Sequence, residues 1–269
     1  MNLFTLLDQA ASRFGDRGAV YHGRRQFLTW TELRDRSLRL GATLGAPGGR
    51  IAIASENRPE IIELMFGVWA AECVYVPINY KLHPREMVQI LEDSGAAQVF
   101  ASPKIAESLA PETAVPIEVI GSDTYAGRFA ADALSPPDTE PETLAWLFYT
   151  SGTTGRSKGA MLSHRNLMAM TVSHLADFDA PDEDSSLVHG APMSHGSGHY
   201  IAPYVLRAAR QVIPAAAAFE PEEFLDLCER HPGCSAFLAP TMVQRLVQTG
   251  RACPDNLRTI VYGGGPMYV

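Results

Sequence analysis

Between Tyr149 and His164 the chain reads YTSGTTGRSKGAMLSH, a stretch that concentrates residue types able to bind an anion. Thr150, Ser151, Thr153 and Thr154 offer hydroxyl donors, Gly152 and Gly155 let backbone N–H groups come close to a guest, and Lys158 adds a formal positive charge. Phosphate is the natural guest for such a loop. The spacing is not that of the common G-x-x-x-x-G-K-[ST] loop, which needs glycine where Ser157 stands, so a kinase or GTPase of that type is disfavoured. Composition alone also allows a plain connecting loop rich in turn formers.

Two later stretches hold further candidates. His195 lies in APMSHGSGHY, where an imidazole by itself reads more readily as a structural or capping residue than as a functional one. Gly263, Gly264 and Gly265 follow the apolar run RTIVY, at the strand end where open α/β sheets place their ligands, although a tight turn alone would also explain them. His231 between Cys228 and Cys234 supplies too few ligands for a structural zinc site, so no metal ligand is assigned. Asp182, Glu183 and Asp184 read as a solvated loop.

The elements that must position these residues follow from periodicity. A first helix precedes a hairpin built around Gly23, and Thr31 is the expected cap of a helix running to about Leu44. From Arg50 onward, continuous apolar strands such as RIAIAS and CVYVPIN alternate with helical stretches such as PEIIELMFGVWAAE and HPREMVQILEDSG. This pattern predicts an α/β fold of mixed, mostly parallel sheets covered by helices. Periodicity fades from Gly121 to Thr143, which places a boundary between a first subdomain, 1–143, and a second, 144–269. The strand RTIVYGGG is expected to be central and buried, and its closeness to Val269 suggests a fragment of a longer protein.

Composition narrows the function classes. The formal net charge of −8, with no run of Lys or Arg, argues against a nucleic-acid partner. The cysteines at 73, 228, 234 and 253 are too sparse and irregular for a disulfide framework, and no signal peptide or membrane-length apolar run is present, so a cytoplasmic location is expected.

YTSGTTGRSKGAMLSH resembles the signature phosphate loop of the adenylate-forming (AMP-binding) superfamily, and APMSHGSGHY and VYGGGPM are similar to two later segments of that family in the same order. The overall likeness is greatest to acyl-CoA synthetases. The resemblance implies the large N-terminal domain of an adenylate-forming enzyme, truncated, with ATP, Mg2+ and coenzyme A as cofactors. It also implies that a carboxylic acid is activated to an acyl-adenylate and then joined to coenzyme A as a thioester. It assigns Thr150, Ser151, Gly152, Thr154 and Gly155 to ATP binding, Thr153 and Lys158 to the chemical step, and Gly263, Gly264 and Gly265 to the adenine and acyl pocket. His195 falls beside the acyl substrate, where it positions and gates; no base is needed, since a carboxylate is already ionised near neutral pH.

The resemblance also implies an acid without an amine: peptide-synthetase members of the family place an Asp near this position to hold the substrate amine, and no acidic residue lies between Ala191 and Val212, which favours a fatty or aryl acid. Tyr200, Ile201 and Tyr204 either line the acyl pocket or pack as core. The family's ribose-binding Asp and C-terminal catalytic Lys are absent from these 269 residues, so the chain alone is expected to be inactive. A non-catalytic nucleotide- or acyl-binding module and an adenylating enzyme with another acceptor stay open, as does a homodimer.

Overall fold

The computed structural model describes residues 1–150 and 157–267. Its first half runs α1 (Phe4–Phe14), β1 (Gly18–His22), β2 (Arg25–Thr29), α2 (Trp30–Gly41), β3 (Arg50–Ala54), α3 (Glu60–Ala70), β4 (Val74–Ile78), α4 (Pro84–Ser94), β5 (Gln98–Ala101), α5 (Pro103–Leu109), β6 (Ile117–Val119) and α6 (Asp123–Gly127). The second half continues with β7 (Leu144–Thr150), β8 (Lys158–Ser163), α7 (His164–Asp177), β9 (Ser186–Val188), α8 (Gly196–His199), α9 (Ile201–Leu206), β10 (Arg210–Ile213), α10 (Pro221–Arg230), β11 (Cys234–Leu238), α11 (Pro240–Gln248) and β12 (Leu257–Tyr262). No helix among the described residues is long and apolar enough to cross a membrane.

Two compact units share the chain. The first comprises Met1–Asp8, Arg34–Glu56 and Glu60–Met168; the second comprises Gln9–Leu33, Asn57–Pro59 and Ala169–Val269. The boundary expected after residue 143 therefore falls inside the first unit. There β7 joins the sheet beside β4, with Tyr75 opposite Trp146. The aperiodic stretch before it is tied down by polar contacts: Asn2 Nδ2 donates to Thr139 Oγ1 at 3.0 Å, and Arg39 Nη1 donates to the Ala131 carbonyl at 2.9 Å. Such anchoring leaves no trace in hydrophobic periodicity.

The first unit is a six-stranded sheet in the order β6-β5-β3-β4-β7-β8, parallel except for the antiparallel β7–β8 pair. Its inner strands β3, β4 and β5 are continuous apolar runs because they are buried on both faces, and all five residues of β4 are buried; the edge strand β8 is largely exposed. Helix α3 is buried from Ile61 to Ala70, and it approaches α2 closely where a side chain on Gly67 would stand 2.9 Å from Leu40 Cδ2. The one charge on its buried stretch, Glu63, is held by Arg36 Nε at 2.6 Å, Arg36 Nη2 at 2.9 Å and the Tyr125 hydroxyl at 2.6 Å. Helix α4 starts with a capping box between His83 and Glu86 and ends at Gly95, whose φ of 63° is the left-handed stop that glycine permits.

The second unit carries the other sheet, ordered β12-β11-β9-β10-β1-β2, parallel except for the β1–β2 hairpin. Strand β12 lies at its edge among the described residues and is only partly buried, contrary to the central place expected for it. Helix α2 is capped by Thr29, not Thr31: Glu32 N donates to Thr29 Oγ1 at 3.2 Å, while Thr29 N donates to Glu32 Oε2 at 2.8 Å. Both threonines precede a glutamate or an apolar run, and only the reciprocal bond distinguishes them.

Candidate functional site

The segment that carries His195 leaves the carboxyl end of β9 and is pinned before it reaches α8. Asn57 spends its whole carboxamide on it: Nδ2 donates to the carbonyls of His189 at 3.0 Å and Ala191 at 2.9 Å, and Oδ1 accepts from Met193 N at 2.8 Å. His189 is fully buried, with Nδ1 2.7 Å from Ser197 Oγ and Nε2 3.1 Å from Gln211 Oε1. Gln211 donates its own NH2 to the Ala209 carbonyl at 3.1 Å, so Oε1 faces the imidazole and Nε2 carries the proton. Burial pushes the His189 pKa down to about 4, which keeps the ring neutral. A strand end, a loop and the first turn of α8 are thus locked to one another.

His195 itself occupies the N-cap position of α8, with Nδ1 3.1 Å from Ser194 Oγ. Its carbonyl lies 3.2 Å from His199 Nδ1, and burial lowers the His199 pKa. The next residue shows why glycine follows: a side chain on Gly196 would meet Phe237 Cε1 at 2.1 Å. The same ring reaches the glycine turn after β12, standing 3.2 Å from where a side chain on Gly263 would begin. Tyr200 stacks on it at 5.4 Å between centroids with 21° between planes. Phe237, on β11, therefore brings the His195 segment and the Gly263 turn to one aromatic wall at the carboxyl ends of parallel strands. Gly264 has φ 84°, which suits glycine; a side chain on Gly265 would meet nothing within 4 Å.

In the first unit, Thr150 and Lys158 are register partners at the end of the β7–β8 pair where the chain passes from one strand to the other, and Lys158 is exposed. Just inside that end the Tyr149 ring lies over Gly159, where a side chain would meet it at 2.9 Å, and its hydroxyl donates to Asp93 Oδ2 at 2.7 Å. Burial, with Asp93 second, pushes the Tyr149 pKa up, so the phenol stays a donor. The two strand ends are thereby fixed to α4. Ser151, Gly152, Thr153, Thr154 and Gly155 lie outside the described residues.

Of the residues weighed for an acyl pocket, Ile201 and Tyr204 are core, at 0% and 1% exposure. The Tyr204 hydroxyl donates to Asp179, which also accepts from Ser235 Oγ at 2.6 Å. Tyr200 is half-buried and belongs to the aromatic wall. His231 turns Nε2 toward the Gly23 carbonyl at 3.2 Å, and Cys234 donates to the His231 carbonyl at 3.1 Å, so these residues are engaged with the backbone. Asn57 and Phe237 escaped the sequence reading. SENRPE reads only as a polar connection and CSAFLAP only as a strand, and their partners lie far along the chain.

The profile described as "AMP-binding enzyme" matches residues 7–269. A feruloyl-CoA synthase from Amycolatopsis sp is 34% identical over 260 residues, covering 93% of this chain and 51% of that protein. A fatty acid–[acyl-carrier-protein] ligase, ScoC, from Streptomyces coeruleorubidus is 30% identical over 256 residues, covering 89% of this chain and 49% of its own. The chain thus spans about half the length of the curated relatives it matches. The inhibitor-bound N-terminal domain of FACL13 from Mycobacterium tuberculosis superposes with a TM-score of 0.87 at 23% identity, covering 99% of this chain and 71% of that one, a likeness of fold.

Proposed function

The chain belongs to the AMP-binding enzyme family, and from that premise we propose that the intact protein activates a fatty or aryl carboxylic acid with ATP and transfers the acyl group to coenzyme A. The observation that carries this reading is the shared aromatic wall. Two family-like segments far apart in sequence, at His195 and at Gly263, touch the same Phe237 ring at the carboxyl edge of one sheet.

In the first step a substrate carboxylate oxygen bonds to the α-phosphorus of ATP while the bond to the β-phosphate oxygen breaks, and pyrophosphate leaves. Thr150, Ser151, Gly152, Thr153, Thr154, Gly155 and Lys158 are assigned to the phosphates, with Lys158 and Thr153 against the charge that grows on pyrophosphate. In the second step a thiolate attacks the acyl carbon and AMP leaves with the electron pair of the mixed anhydride. Magnesium accompanies the nucleotide and offsets phosphate charge; among the described residues no cluster of acids, His or Cys stands ready to hold a metal. His195 orients and gates the acyl group, and Gly263, Gly264 and Gly265 border the adenine and acyl pocket. This chain supplies those groups, and turnover is assigned to the longer protein.

An acid without an amine is supported by charge. The sequence offers no carboxylate from Ala191 to Val212, and Asp179 is already spent on Tyr204 and Ser235. The flat Tyr200–Phe237 stack favours a planar aryl acid within that class. A carrier-protein thiol as acceptor is a second reading, favoured by the likeness to the carrier-protein ligase. Pyrophosphate release by the intact protein, read with fatty, aryl and amino acids and with either thiol acceptor, tests all of this. Release with aryl or fatty acids and coenzyme A is the expected result; turnover of amino acids alone would overturn the substrate class.

A further inference from the structure

An acidic chain with a formal net charge of −8 gathers positive charge in one concavity of its second unit. Tyr21, Arg24, Arg210, Arg230, His231 and Pro232 line a cavity of about 300 Å3 that contains no carboxylate in its wall. The size is at the lower limit of small-ligand sites, about 300–1,000 Å3. Three guanidinium groups from the β1–β2 turn, the start of β10 and the end of α10 thus converge from separate elements.

Their existing partners leave charge uncompensated. Arg24 is 3.5 Å from Asp226, and Arg210 is 4.0 Å from Asp184, a carboxylate that Arg17 also engages. Among the described residues no carboxylate lies within ion-pair distance of Arg230. The last turn of a helix favours a cation, which explains Arg230 alone but not the other two. The His231 ring at the floor of the cavity is held by Nε2 on the Gly23 carbonyl at 3.2 Å and by the edge of Tyr21 at 5.0 Å between centroids. An adjoining cavity of about 510 Å3 makes the contrast, since its wall contains the carboxylates Glu223 and Asp226 beside Arg24 and Arg25; Asp226 is shared with Arg251, at 2.9 Å, and so does not offset Arg24 alone.

We propose that the cavity between Arg24, Arg210 and Arg230 binds a phosphate group, separately from the loop that begins at Thr150. Guanidinium forks match phosphate oxygens in pairs, and a ligand of this charge supplies the counter-ion the cavity lacks. The phosphate can belong to a free small molecule or to a lipid headgroup. This inference does not rest on the acid-activating reading.

Pyrophosphate titrated by calorimetry at 150 mM salt into the chain carrying Lys158→Ala, which weakens the phosphate loop, provides the test. Saturable binding is expected, weakened about tenfold by Arg24→Gln and again by Arg230→Gln. Both side chains are exposed, so the variants should keep the parent thermal midpoint, which is measured alongside. Sedimentation with phosphatidylcholine vesicles, with and without phosphatidic acid, separates the sources. Arginine-dependent capture by phosphatidic acid identifies a lipid headgroup, and pyrophosphate binding without capture identifies a free phosphate. Absence of saturable pyrophosphate binding and of arginine-dependent capture, or affinities untouched by both substitutions, would overturn the proposal.

Discussion

The ring of Phe237 occupies the space into which a side chain on Gly196 would project, with Cε1 2.1 Å from the position of its first carbon. The contact ties the residue after His195 to β11. Gly196→Ala should destabilise the fold by about 1–3 kcal/mol, the usual cost of overpacking. Combining it with Phe237→Ala should recover part of that loss, because the clash is pairwise. Urea unfolding of the two single variants and the double variant reads the coupling, and strict additivity would show that the ring does not hold Gly196.

Asn57→Ala removes three bonds at once from the loop before α8. Two carbonyls and one N–H lose their partner in a partly buried place, so a loss of about 1–3 kcal/mol is expected. Asn57→Asp should rescue only the bond from Met193. Hydrogen exchange at Met193 N provides a local check: protection should drop in Asn57→Ala and persist in Asn57→Asp.

Much of the fold is legible in the sequence, because strands buried on both faces read as unbroken apolar runs, α4 carries helical periodicity, and α3 reads as an apolar run too long for a strand. The order of strands is not, since it depends on crossovers. β12 illustrates this: its apolar run looks central, yet it pairs only with β11 among the described residues. In the candidate site, Lys158 stands out by type in its loop, whereas His195 and the glycines from 263 become candidates only through the resemblance of their segments to the family. Asn57 and Phe237 do neither, because each acts through partners more than 25 residues away or through space left by a glycine. The division after Thr143 failed for a similar reason: side chains such as Asn2 and Arg39 bind the irregular stretch to the first unit.

Acid should weaken the protein before its carboxylates titrate. Burial holds His189 and His164 neutral, each with its pKa pushed down to about 4, the latter also through the charge of the chain's amino terminus. Between about pH 6.5 and 4 the unfolded chain then binds protons that the folded chain refuses, so stability is full above about 6.5 and declines as pH falls. Each histidine should cost about 2 kcal/mol by pH 5. Urea midpoints across pH 7 to 5 test this, with His189→Gln expected to flatten the slope; a midpoint constant over that range would show that neither imidazole is held neutral.

Arg36→Ala should cost more than an ordinary surface change. It strands the fully buried Glu63, which keeps only the Tyr125 hydroxyl. A loss of about 3–5 kcal/mol is expected, read as a lowered thermal midpoint. Arg36→Ala together with Glu63→Gln should restore part of it, and equal losses in both variants would argue against a charge effect.

The most direct test of the acid-activating account is ATP–pyrophosphate exchange by the intact protein, with and without Lys158→Ala. Lys158 is exposed at a strand end, so the substitution should leave the unfolding midpoint in place. The account predicts acid-dependent exchange in the parent and a fall of about 10²–10³-fold in the variant, the usual effect of losing one donor to a growing charge. Exchange that continues at a near-normal rate without Lys158, or that does not depend on a carboxylic acid, would contradict it.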